Sequence, residues 1–177
     1  MEFRLRDVTL SDAEALAHVL VTAEQHTFRG LVPDQCLEFT EAQSAANWQK
    51  FLSLAELSSL DFMIVAETPN REVIGYVWGG ANTDDSGEVR QLSVLPAYHK
   101  RGIGRQLVCH VAERLAAAGI TRMKVEVLRV NPNRAFYERL GSVFVSERPY
   151  NWDGVSLSAC VYEWVDTRPL LSHPDIP

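Results

Sequence analysis

Hydrophobic and polar positions alternate in Phe3-Arg4-Leu5-Arg6, the period of a half-buried strand. Ser11-Asp12 then precedes Ala13-Glu14, an N-cap followed by an early acid, and Leu16, Val19, Leu20 and Ala23 share one helical face. A helix is predicted to about residue 25, and Gly30 and Pro33 break the pattern. A second helix is predicted over 41–57, with Ala45, Trp48, Leu52 and Ala55 at three- and four-residue spacing. The run 62–66, a turn at 68–71 and a return strand over 73–78 read as a hairpin. Gly79-Gly80 and 82–87 read as a polar loop, and 88–95 as a strand stopped by Pro96. After a glycine-containing turn, Ile103, Leu107, Val111 and Leu115 recur every four residues to a helix end at 118, with Gly119 as the stop. The remaining elements are a strand over 122–128, a short helix over 133–140 ending at Gly141, and strands at 143–145 and 157–164. Pro169 and Pro174 predict a frayed tail.

This order gives one mixed α/β sheet with helices on its faces, without the strict alternation of a doubly wound fold. The 177 residues fit one domain over 1–166 and a tail over 167–177. Hydrophobic residues at 46% and charged residues at 23% are ordinary for a globular chain. The net charge of −6 argues against nucleic acid or an anionic membrane as partner. Cys36, Cys109 and Cys160 are odd in number and far apart, so reduced thiols are expected, not a disulfide framework or a zinc ribbon. The first residues lack an apolar signal-peptide core, and no apolar run reaches the roughly 20 residues of a membrane span. A cytoplasmic protein is expected. His18 and His26 have no metal-ligand spacing with another His or Cys, so no metal is expected.

The chemistry concentrates in Leu92-Ser93-Val94-Leu95-Pro96-Ala97-Tyr98-His99-Lys100-Arg101-Gly102-Ile103-Gly104-Arg105. A strand ends, a basic glycine turn follows, and a helix begins. The first helical turn offers free N–H groups and the positive end of the helix dipole. Gly102 and Gly104 let an anion approach the backbone, and Lys100, Arg101 and Arg105 add positive charge. This is a candidate phosphate site. It is not a P-loop, because Arg105-Gln106 follows Gly104 where Lys-Ser/Thr is needed, which disfavours a phosphotransferase. It also lacks the third glycine of a dinucleotide fingerprint.

The residues His99-Lys100-Arg101-Gly102-Ile103-Gly104 resemble the Arg/Gln-x-x-Gly-x-Gly/Ala signature of the GNAT superfamily of N-acetyltransferases. His99 departs from the first position, which changes one side chain and spares the backbone cradle. Downstream, Asn131-Pro132-Asn133-Arg134-Ala135-Phe136-Tyr137-Glu138-Arg139-Leu140-Gly141 is similar to the superfamily's Asn…Phe-Tyr-Glu-x-Leu-Gly segment, with Ser142 where Phe or Gly is common. The resemblance spans about residues 3 to 165. It implies a mixed, mostly antiparallel central sheet flanked by helices, and transfer of an acetyl group from acetyl-coenzyme A to a primary amine in a ternary complex.

On that resemblance, the turn 99–105, Ile103 included, holds the pyrophosphate. Leu92, Ser93 and Val94 pair with the pantetheine arm like an added strand, with the Val94 amide as oxyanion donor. Asn131 and Arg134 lie in the motif that approaches the coenzyme. Tyr137 is the candidate general acid, since a phenol is protonated at neutral pH and can donate to a departing thiolate. Glu88, fourteen residues before Gly102, is the candidate base by its match to the histone-acetylating branch, with Glu126 or a water chain as rivals. No Gly-x-Ser-x-Gly motif supports a covalent route. Phe28, Trp48, Trp78, Tyr150 and Trp152 are candidate lining residues for an acceptor that is a small-molecule amine or a protein amine. Dimerisation is common in the superfamily. The non-enzyme alternative is a coenzyme-A-binding sensor on the same fold.

Overall fold

The computed structural model describes residues 2–54 and 57–172. Its elements in chain order are β1 (Arg4–Asp7), α1 (Ala13–Phe28), α2 (Glu41–Leu54), β2 (Asp61–Glu67), β3 (Val73–Ala81) and β4 (Gly87–Val94). There follow α3 (Ile103–Ala117), β5 (Met123–Leu128), α4 (Arg134–Arg139), β6 (Val143–Trp152), β7 (Val155–Trp164) and α5 (Arg168–Ser172). The strands form one sheet in the order β1-β2-β3-β4-β5-β7-β6. Every neighbouring pair is antiparallel except β4 and β5.

Helices α1 and α2 cover one face. Trp48 of α2 stacks edge-on against Tyr76 of β3, and Phe51 lies 5.0 Å from Trp78. Helix α3 covers the other face through Ile103, Leu107, Val108, Val111, Ala112 and Leu115, all buried, which is the four-residue stripe expected from the sequence. The two layers share one continuous core with β2 and β3 at its centre.

The sequence and the structure differ in four places. Gly79 and Gly80 continue β3 instead of opening a loop. A Cβ on Gly79 would lie 2.7 Å from Val111 Cγ1, so the glycine is where α3 approaches the sheet most closely. Strand β6 runs ten residues instead of three. It is the edge strand, so Pro149 is tolerated there and no buried face imposes alternation. The second helix ends at Leu54, and the part of its expected span at 55–56 lies outside the described residues. Around Pro169 the chain forms the short helix α5 with Leu170 buried, while Pro174 lies outside the described residues.

Candidate active site

Strands β4 and β5 are hydrogen-bonded neighbours only through Gly87, Glu88 and Val89 opposite Met123, Lys124 and Val125. Beyond Val89 the two strands part. On its other side β4 stays paired with β3, Gly75 opposite Val94 and Tyr76 opposite Ser93. The Leu95 amide donates to the Ile74 carbonyl at 2.9 Å. Hydrogen-bonded and non-bonded pairs alternate in an antiparallel ladder, so the backbone groups of Val94 and Leu92 turn away from β3. They face the gap that β5 has vacated. His99 Nε2–H donates to the Val94 carbonyl at 2.9 Å, which ties the glycine turn to the strand end and leaves the Val94 amide directed at the gap.

The gap opens into a cleft of about 1120 Å³. At one end lie Lys100, Arg101, Gly102, Ile103, Gly104 and Arg105. Gly102 has φ 78° as the residue before α3, a left-handed conformation that suits glycine. A Cβ on Gly104 would lie 3.3 Å from the Phe136 ring of α4, so this position is held open by the lack of a side chain. The Arg101 guanidinium lies 5.5 Å over the Tyr98 ring. The cradle and its charge fit a phosphate-bearing coenzyme.

Tyr137 of α4 lines the middle of the cleft, 8% exposed, with its ring edge-on to Phe136 and Trp164. Burial pushes its phenol up, so it carries its proton throughout the neutral range. Asn131 also lines the cleft, and its Oδ1 accepts the Asn133 amide at 2.8 Å, an Asx turn that starts α4.

Two expected site residues are placed elsewhere. Glu88 sits at the closed end of β4, opposite Lys124, and does not line the cleft. Arg134 also stays out of it, because its guanidinium turns to Cys160 Sγ at 3.7 Å and the Tyr162 hydroxyl at 3.5 Å. Glu126 does line the cleft and is ion-paired with Arg148.

The other end of the cleft is built from α1, β3 and the β6–β7 hairpin. Phe28, Trp78, Tyr150 and Trp152 line it as expected, whereas Trp48 is core beneath α2. Phe28 packs edge-on against Trp152 at 5.5 Å, and Phe28, Val32, Cys36 and Leu37 form a second cluster that pins the segment after α1 onto the hairpin. One lining residue escaped the sequence reading. Glu24 lies on the sheet-facing stripe of α1 with Ala17, Leu20 and Phe28, and burial followed by the charge of Asp153 pushes its carboxyl up to about 7. A carboxylate on an apolar helical stripe was the available signal. Among the described residues there is no cluster of metal-ligating side chains, the three cysteines are free thiols, and no helix is long and apolar enough to cross a membrane.

A profile described as the acetyltransferase (GNAT) family matches residues 24–142. The chain belongs to this family. It is 26% identical over 170 residues to the uncharacterised N-acetyltransferase YuaI of Bacillus subtilis, covering 94% of this chain and 95% of that one. The fold is similar to the ribosomal-protein-S5-alanine acetyltransferase of Vibrio fischeri, with TM-score 0.74, 21% identity and 94% of each chain covered. It is also similar to the PaiA N-acetyltransferase of Thermoplasma acidophilum in complex with coenzyme A, with TM-score 0.66, 18% identity and coverage of 90% and 98%.

Proposed function

We propose that the protein transfers an acetyl group from acetyl-coenzyme A to a primary amine by direct attack, both substrates being bound together. The observation that carries this reading is the parted end of β4. Its Val94 amide faces the cleft between the basic glycine turn and Tyr137. The turn 99–105 binds the pyrophosphate through backbone N–H groups and its cations. The backbone of Leu92 and Val94 hydrogen-bonds an extended arm as a further strand would. The Val94 amide then stabilises the developing oxyanion, a kind of interaction worth about 3–4 kcal/mol in the transition state. Tyr137 donates its proton to the departing thiolate. Asn131 contributes from the rim. The fold-level likeness to a coenzyme-A complex and to an enzyme named for a protein amine supports the coenzyme and the amine as reaction partners.

The test is thiol release from acetyl-coenzyme A with a panel of small amines and peptide N-termini, with products identified by mass spectrometry. Acetylated amine and free thiol in equal amounts are expected. Coenzyme A binding with no transfer to any amine would establish the sensor reading instead.

A further inference from the structure

We infer that Glu24, at the end of the cleft between α1 and the β6–β7 hairpin, is the base that takes the proton from the acceptor's ammonium group. This rests on the acetyl-transfer reading above and assigns its missing proton acceptor. Successive residues of β4 point to opposite faces of the sheet. Ser93 therefore shares a face with its cross-strand partner Tyr76, which Trp48 of α2 places on the α1–α2 side. Leu92 and Phe136 both lie against Gly104 on the opposite, α3 side. The gap thus joins two faces. The coenzyme turn opens on one, and Glu24 stands on the other, above Ser93 and Tyr76.

The surroundings of Glu24 leave it available. Among the described residues it has no hydrogen bond or ion pair. The Tyr76 hydroxyl is fully buried beside Ser93, and its phenol is pushed up by burial, with the charge of Glu24 adding to the shift and Ser93 opposing it. From the hairpin, Tyr150 and Asp153 face Glu24, and burial, followed by the two carboxylates, raises the Tyr150 phenol. Elsewhere on these elements, Arg90 of β4 pairs with Asp61 and donates to the Ala81 carbonyl, and His18 of α1 meets Glu41 of α2. His26, on the same helix, has its ring 6.0 Å from His99. This end of the cleft therefore offers negative charge and aromatic rings, a setting that attracts an ammonium.

The proton balance closes. Glu24 accepts one proton from the ammonium and later releases it to solvent. The neutral nitrogen forms the N–C bond, and the C–S bond breaks. The thiolate takes the Tyr137 proton, and the second nitrogen proton restores Tyr137. The carboxyl, held near about 7, is basic enough to accept a proton and is ionised in half the molecules at that pH.

The test is the pH dependence of kcat/KM for the parent and for Glu24→Gln with an amine that the parent acetylates. In the parent an acidic limb near about 7 is expected. Glu24→Gln is expected to lose that limb and at least about tenfold in kcat/KM, to recover toward the parent as the pH approaches the pKa of the free amine, and to bind coenzyme A unchanged. Glu24→Asp should retain the limb at reduced rate.

An independent readout is thermal. A folded-state carboxyl raised above its unfolded value holds a proton that the unfolded chain releases first, so the native state loses stability as pH rises from about 4.5 to about 7. Glu24→Gln removes that loss, and its Tm relative to the parent should rise between about pH 5 and about pH 8. An unaltered limb in a folded Glu24→Gln, or a parent without such a limb, overturns the inference while the acetyl-transfer reading stands. A parent that acetylates no amine overturns both.

Discussion

The two ends of the cleft are made in different ways. The end proposed for the coenzyme is built largely from backbone: N–H groups of the turn 99–105, glycines that keep it open, and the unpaired edge of β4. It comes from one stretch of chain. The acceptor end is built from side chains on α1, β3 and the β6–β7 hairpin, brought together only by folding. A backbone site depends on turn geometry, which a change such as His99 at the head of the motif leaves in place. There the imidazole has a structural duty, closing the turn onto the Val94 carbonyl. A side-chain site depends on which residues meet, and nothing in their spacing reveals it.

The comparison breaks most readily at the centre, where both ends meet. Tyr137→Phe should lower turnover by at least about tenfold with little change in KM for acetyl-coenzyme A, since the lost proton belongs to the transition state. A parent-like rate in steady-state assays would make Tyr137 a packing residue.

At the coenzyme end, Gly104→Glu places bulk against Phe136 and negative charge in the cradle. Calorimetry should show coenzyme A binding weakened by at least about tenfold, or about 1.4 kcal/mol. At the acceptor end, Trp152→Ala removes the ring that packs on Phe28. The KM of the amine should rise several-fold, consistent with roughly 1 kcal/mol for an aromatic contact, while coenzyme affinity holds. Failure of either variant to respect its own half would merge the two ends into one site.

Smaller still is Arg101→Ala. Its exposed cation should contribute only a few-fold to coenzyme affinity, about 0.5–1 kcal/mol, and titrations at raised salt should erase most of the difference. Smallest of all is Glu88→Gln. At the closed end of β4 it should leave the pH–rate profile as it was. A lost acidic limb there would return the base to Glu88.

The same contrast explains what could be read before folding. The order of strands and helices, the four-residue stripe of α3 and the glycine turn before it were legible, because period and glycine placement are local properties. The short helix that carries Tyr137 was legible through its motif, and the structure sets that residue on the cleft wall. The misplaced residues are those whose role depends on long-range packing. Glu88 has the expected spacing but sits where β4 and β5 are still joined, and Arg134 has the expected neighbours but turns to Tyr162. Glu24 is not legible because a lone acid in a helix ordinarily lies on the outer surface, and only the hairpin shows that this one is half-buried in the cleft. Gly79 reads as a loop until Val111 is seen above it.

The seam of three residue pairs between β4 and β5 has a mechanical consequence. The sheet is two plates, β1 to β4 and β5 with β7 and β6, joined like a book along a short spine. An extended molecule lying along the open edge of β4 adds rungs where the pages part, so its binding stiffens the whole protein and not only the pocket. Coenzyme A at one hundred times its Kd should stabilise the fold by about 2.7 kcal/mol. Amide exchange should slow along Gln91 to Leu95 and across the spine in β5, far from the phosphates that anchor the ligand.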